Sequence, residues 1–138
     1  MSYAKPLPAI DVWSRPFWEG ARGKVLTMPC CGECGHVFFP PGPVCPACRS
    51  SRLAWKECSG QATVESWVVF HQLYYKGFAG EMPYNVAAVR LEEGPQLVTH
   101  IVGVANDAIR AGMPVEVTFE VATDDVTIPK FRPANEGK

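Results

Sequence analysis

Cys31-Gly32-Glu33-Cys34 and Cys45-Pro46-Ala47-Cys48, with ten residues between them, decide how the first half of this chain folds. Each Cys-x-x-Cys brings two sulfurs into one tight turn. Two such turns present four thiols at the corners of a tetrahedron, which suits a borderline-soft divalent ion with no geometric preference of its own. Four thiolates leave no position for water, so the spacing predicts a closed structural zinc ribbon, with one Zn2+ held by Cys31, Cys34, Cys45 and Cys48. Iron in a rubredoxin-like site is the rival metal, because tetrahedral sulfur suits either ion. The spacer is shorter than the roughly 15–20 residues of the commonest such pattern. A disulfide framework is a further alternative, but clustered cysteines with no apolar signal segment before them point to metal first. Gly35 follows the first pair and can take the left-handed conformation that aims N–H groups at sulfur. Arg49 holds the equivalent place after the second pair, where glycine would be easier.

Two of the six cysteines remain. Cys30 adjoins Cys31 and, in an extended segment, points to the opposite side; it could serve as ligand only through a longer turn. Cys58 reads as a small apolar residue, since a nucleophilic thiol needs a base or a positive field and only Lys56 is near in sequence. His36 could be mistaken for a ligand, yet four sulfurs already complete the shell.

The chain has 138 residues, enough for a metal-stapled lobe plus a compact core, with 47% hydrophobic and 20% charged residues, as in a soluble globular protein. Lys and Arg number 13 against 14 Asp and Glu, giving a formal charge of −1. Such a balance offers no basic field for a nucleic-acid backbone. No apolar run approaches the ~20 residues of a membrane span, which makes the cytoplasm the default location.

Three segments follow, at 1–23, 24–57 and 58–138. The first opens with Lys5-Pro6-Leu7-Pro8 and continues as a short helix capped by Ser14, with Pro16 in its first turn and Gly23 at its end. Trp13, Phe17 and Trp18 crowd it, and two helical turns cannot bury three such rings; mixed use between the protein's own core and a partner is expected. In the ribbon, Val25–Met28, His36–Phe39 and Leu53–Lys56 read as strands. The last segment is β-rich. Gly60–Phe70 is a long strand, and Asn85–Leu91 with Gln96–Val102 flank the hairpin signal Glu92-Glu93-Gly94-Pro95. Ala105–Ala111 could form helical turns. Val115, Val117, Phe119 and Val121 alternate onto one strand face, and Ile128–Pro133 is a short final strand. A mainly β chain with five such strands and a short helix suggests a five-stranded OB-type barrel.

These motifs, in this order, resemble a known family. They include Pro16-Phe17-Trp18-Glu19, the two cysteine knuckles with Phe39-Pro40-Pro41 before the second, and Ser59-Gly60-Gln61-Ala62-Thr63-Val64. Pro83-Tyr84-Asn85-Val86-Ala87-Ala88-Val89, Glu93-Gly94-Pro95, Gly112-Met113-Pro114-Val115-Glu116-Val117 and Phe131-Arg132-Pro133 complete the series. The chain is similar, over about Asp11 to Pro133, to the small acyl-CoA-associated proteins that join a rubredoxin-like zinc ribbon to an OB fold. Cys30, Arg49 and Gln61-Ala62 depart from the family's pattern. The resemblance implies N-terminal helices, a ribbon and an OB barrel. It also implies work as a partner of thiolase-like enzymes, acyltransferases, steroid side-chain aldolases or MaoC-like enoyl-CoA hydratases. In such complexes the large subunit carries the catalytic residues, and the small protein stabilises it and helps shape the acyl-CoA channel.

The residues themselves offer little independent chemistry. His71, Tyr74, Tyr75, Lys76, Phe78 and Tyr84 lie in an aromatic, glycine-containing loop. A pair such as His71 with Glu81 could do acid–base work, although a loop that orders on a partner explains the same composition. His100 sits in a strand, where histidine usually makes a structural hydrogen bond. No nucleophile elbow or phosphate-cradling loop is present, so no catalytic residue is expected. Trp13, Phe17, Trp18, His71, Tyr74, Tyr75, Phe78 and Tyr84 are the candidate contacts for a partner or acyl-CoA, with Lys76, Arg90 or Arg110 toward CoA phosphates. The alternative is a single-stranded nucleic-acid module, since OB folds stack bases on aromatic rings, but beside a basic groove that this composition lacks.

Overall fold

The computed structural model describes residue 5 and residues 7–134. Part of the expected proline-spotted tail (Pro6) and the last four residues lie outside the described residues. The chain opens with helix α1 (Arg15–Arg22), then builds a two-stranded antiparallel ribbon from β1 (Thr27–Cys31) and β2 (Leu53–Glu57). The remaining strands are β3 (Gln61–Phe70), β4 (Tyr84–Leu91), β5 (Gln96–Thr99), β6 (Pro114–Val121) and β7 (Thr127–Pro133). They form one sheet in the order β5-β4-β3-β6-β7. Its two edge strands are drawn together by a parallel bridge between Ile101 and Phe131, with Val102 N–H donating to Phe131 O at 2.8 Å. The result is the expected mainly β architecture, a zinc-ribbon-like lobe on a curled five-stranded half-barrel of OB type.

Local chemistry explains the curl. β3 pairs with β6 only over Gln61–Thr63, and with β4 along most of its length. A register shift between Val64 and Ser66 marks a bulge, which bends a strand and increases its twist. Gly60, before β3, has φ +83°, and a Cβ there would stand 2.5 Å from Val117 Cγ1, so only glycine fits. Because β3 leaves β6 after three residues, the alternating face of β6 emerges from the core: Val115 is fully buried, Val117 and Phe119 half-buried, and Val121 exposed.

Several expectations need correction. The return strand at His36–Phe39 is a single bridge, Cys30 with Val37. Opposite Phe38 the ladder requires a donor from residue 29, and Pro29 has no N–H; Phe38 N–H still reaches Pro29 O at 3.0 Å. Ser14 sits at the helix N-cap without a side-chain capping bond. Pro16 removes one of the N–H groups such a cap would bind, and the Ser14 hydroxyl instead accepts from Asp11 N–H at 3.2 Å. The helical turns expected at Ala105–Ala111 shrink to a 3-10 turn, Asn106–Ala108. β5 ends at Thr99 because the following residues leave β4 for β7.

One hydrophobic cluster runs through all three parts. Phe17 from the helix, Leu26 and Met28 from the ribbon, and Val64, Leu91 and Phe131 from the barrel belong to it. A second, small cluster of Cys31, Phe38 and Cys45, with Leu53 against it, surrounds the knuckles. No helix among the described residues is long and apolar enough to cross a membrane.

Candidate metal centre and aromatic surface

The two knuckles converge. Cys31 Sγ lies 3.5 Å from Cys48 Sγ, Cys34 Sγ lies 3.7 Å from Cys45 Sγ, and all four sulfurs fall within 4.8 Å of one another. A tetrahedron with metal–sulfur bonds of ~2.3 Å has edges of about 3.8 Å, so the donor set fits a thiophilic tetrahedral ion. Backbone geometry prepares the sulfurs. Glu33 and Cys34 N–H donate to Cys31 Sγ at 3.3 and 3.4 Å, and Ala47 N–H donates to Cys45 Sγ at 3.3 Å. The Cys34 and Glu33 N–H groups lower the Cys31 thiol to about 6. At Cys48 the Ser50 N–H pulls the same way, yet the Cys31 sulfur and burial push that thiol up to about 12. Four crowded thiols therefore give up their protons fully only against a cation. Cys31 and Cys45 are buried, whereas Cys34 and Cys48 face outward.

Both turns end in the left-handed region: Gly35 at φ +78° and Arg49 at +67°. Their N–H groups close matching turns, Gly35 to Cys31 O at 3.0 Å and Arg49 to Cys45 O at 2.8 Å. Cys30 stands apart from the four-sulfur group, its thiol directed at the Gly35 carbonyl at 3.8 Å. Cys58 is half-buried against the core, and burial followed by the Glu93 carboxylate raises its thiol to about 12, which makes it a poor nucleophile. His36 is exposed and stacks on Phe38, with centroids 5.9 Å apart.

The aromatic residues divide. Phe17 is 4% exposed and packs edge-on to Trp18 at 4.9 Å and against Phe39 at 5.2 Å. Trp18 is half-buried and Trp13 is 48% exposed, which matches mixed use. In the 71–83 loop, a 3-10 turn at Lys76–Glu81 seats Phe78 on Tyr84, stacked at 4.4 Å, and Tyr84 in turn meets Phe70 at 5.1 Å. Leu73, Tyr74 and Tyr75 remain exposed, as do Val68 and Val98 of the sheet. His71 is exposed, and the Glu81 carboxylate conceived as its partner is held by Lys5 at 2.6 Å. Arg90 grips Glu65 at 2.9 Å and donates to Gly94 O, while Lys76 and Arg110 are exposed.

His100 makes the expected structural bond, Nδ1 to Asn85 O at 2.6 Å, and burial lowers its pKa. Asn85 carries a structural role that no motif in the sequence announces. Its amide accepts from Ile101 N–H at 2.8 Å and donates to Ile101 O and Asn106 Oδ1, both at 2.9 Å, clamping the seam where the sheet closes.

Fold and cysteine cluster together define a rubredoxin-like ribbon joined to an OB fold. Residues 18–54 match the family described as "ChsH2, rubredoxin-like zinc ribbon domain" and residues 55–120 match "ChsH2, C-terminal OB-fold domain". The chain belongs to this family, known by its domain as DUF35. It is 41% identical over 130 residues to the probable enoyl-CoA hydratase alpha subunit of Thermomonospora curvata, covering 94% of this chain and 40% of that protein. The chain thus spans about two fifths of the length of that relative. It is 34% identical to a DUF35 domain-containing scaffold protein of Pyrococcus furiosus, over 73% of this chain and 74% of that one. Among solved structures, it superposes on a chain of the Ltp2-ChsH2(DUF35) aldolase with a TM-score of 0.85 at 40% identity, over 94% of this chain and 100% of that one. A DUF35 protein of Sulfolobus solfataricus, with a TM-score of 0.59 and 16% identity, shares the fold.

Proposed function

We propose that this chain is a non-catalytic accessory subunit that binds and stabilises a thiolase-like, aldolase or hydratase partner and helps shape its acyl-CoA channel. One observation carries the reading: the chain covers the whole of its counterpart in the Ltp2-ChsH2(DUF35) aldolase, at 40% identity. Relatives described as a scaffold and as a hydratase alpha subunit support the same role. The catalytic groups would then belong to the partner. Trp13, Tyr74 and Tyr75 expose large rings, and such rings anchor protein interfaces. Trp18, Phe78 and Tyr84 would back them from behind. Within this role, Cys31, Cys34, Cys45 and Cys48 hold one structural Zn2+, which keeps the knuckles folded and the ribbon set against the barrel. The working location is the cytoplasm, where acyl-CoA enzymes of this kind would meet it.

Co-expression with candidate thiolase-like, aldolase and hydratase subunits tests the role. A complex of fixed stoichiometry is expected, weakened by Trp13→Ala or Tyr74→Ala. Turnover of acyl-CoA by this chain alone, or failure to associate with any of the three classes, would count against it. Elemental analysis of the purified chain should find one equivalent of zinc; iron in its place would change the metal and leave the structural role standing.

A further inference from the structure

The sheet order makes β3 a central strand, yet half of it has a neighbour on one side only. β6 accompanies β3 over Gln61–Thr63, and Val64 still donates to Met113 O at 3.0 Å and accepts from Gly112 N–H at 2.8 Å. Beyond the bulge, Ser66–Phe70 pair with β4 alone. Neighbouring residues of an antiparallel strand turn their N–H and C=O to opposite sides. Leu91 N–H donates to Pro95 O at 2.8 Å, which sets the odd-numbered residues of β4 toward β5 and the even-numbered ones toward β3. Ser66, Val68 and Phe70, opposite Ala88, Val86 and Tyr84, are therefore the residues bonded to β4. Trp67 and Val69 turn their N–H and C=O outward, where no group among the described residues meets them.

Side chains mark the same edge. Val68 is 54% exposed and neighbours Val86 on the outer face of the sheet. Two residues along β4, on that same face, Ala88 neighbours Val98, which is 67% exposed. An apolar stripe thus crosses three strands and stops where the backbone is unpaired. From Ser66 to Phe70 there is neither a charge nor a proline, the usual guards of an open edge. Outward donors and acceptors at every second residue fit an added extended strand.

We infer that the open edge of β3 pairs antiparallel with β3 of a second copy of this chain, across a two-fold axis at Val68. Register identifies the occupant. Trp67 and Val69 are the outward-bonding residues, so the hydrogen-bonded pairs must join them. With the axis at Val68, Trp67 of each copy faces Val69 of the other, and each pair exchanges both of its bonds. The two Val68 side chains then meet in the closer, non-hydrogen-bonded pair, and the apolar stripe continues into the second copy. Glu65 falls opposite His71 of the second copy, so no like charges face each other. The contact is self-complementary, as a closed dimer requires, and it does not depend on the subunit role proposed above.

Sedimentation velocity of the metal-loaded full chain, from micromolar to near-millimolar concentration, tests this. A reversible dimer is expected. Hydrogen exchange at the Trp67 and Val69 amides should slow as concentration rises, while Val68, already bonded to β4, stays unchanged. Val69→Pro removes an N–H that the single chain does not use but that each copy donates in the dimer, so the dimer should weaken at least about tenfold. Val68→Lys sets two like charges against each other on the axis and should weaken it as well. Val98→Lys, on the same face but on the far side of β4, should leave the dimer intact. A monomer at every concentration, a dimer insensitive to both β3 variants, or one lost equally with Val98→Lys would each overturn the inference.

Discussion

Gly35 and Arg49 perform the same backbone task with different residues. Both sit in the left-handed region directly after a knuckle. Nothing lies within 4 Å of a Cβ built on Gly35, so conformation alone distinguishes the two positions. A side chain there costs about 1–2 kcal/mol. Arg49→Gly should therefore raise stability by about 1 kcal/mol, and Gly35→Ala should lower it by a similar amount, as read from urea unfolding of the metal-loaded protein. His100 carries a second prediction at this scale. Burial lowers its pKa from the usual 6.5, so the unfolded chain takes up the proton first. Stability is then complete above the unfolded value and declines as pH falls through 6.5 toward the folded value. His100→Gln should flatten that part of a urea-midpoint profile between pH 7.5 and 5; an unchanged slope would show that another group titrates. The four sulfurs were legible from spacing, because few other arrangements use two Cys-x-x-Cys turns. Asn85 was not, because an asparagine in a strand looks alike whether it faces solvent or clamps a seam. Nor was Lys5, whose partner lies 76 residues away.

At the scale of elements, the ribbon divides into a metal-dependent tip and a root. The tip rests on the small cluster of Cys31, Phe38 and Cys45, while Leu26 and Met28 of the root lie in the main core. A structural tetrathiolate ion supplies on the order of 10 kcal/mol to a small lobe, so its removal should melt the tip and leave the barrel. Hydrogen exchange after prolonged chelation should show the amides of Cys31, Gly35, Cys45 and Arg49 exposed while those of Val64 and Leu91 stay protected. Retained protection at the knuckles would argue against a structural ion. Strands β3, β4 and β6 were readable because each has a β-branched or aromatic run. The His36–Phe39 strand failed on a proline in the facing strand, and of the helical turns expected at Ala105–Ala111 a single 3-10 turn forms, Asn106–Ala108, followed by Ile109 buried in the core. The hairpin at Glu92–Pro95 was plain in the sequence, and Gly94 at φ +119° explains why.

Across the whole molecule, helix, ribbon and barrel are bound by one core rather than by a linker. Met28 is fully buried in the ribbon and clusters with residues of the barrel. Met28→Ala should cost about 2–5 kcal/mol. The loss should appear in a single urea transition, whether monitored through ribbon or barrel amides; two separate midpoints would contradict a common core. Three segments can be drawn along the sequence, but their mutual burial could not, since no spacing rule announces that Phe17 meets Phe39 or that Leu26 reaches the barrel. The overall architecture came from composition, strand patterns and the order of motifs; the seam came from the curvature that β3's bulge imposes.

A shared core also constrains how such a chain can be inherited. A crossover between ribbon and barrel would leave both daughter genes encoding a half with a bare apolar floor, prone to aggregate and be degraded. Surviving rearrangements should therefore break outside the block spanning the helix to the last strand, so that it passes intact into other genes. In the Thermomonospora curvata relative the matched region, 94% of this chain, is 40% of a longer polypeptide, so there the block stands whole.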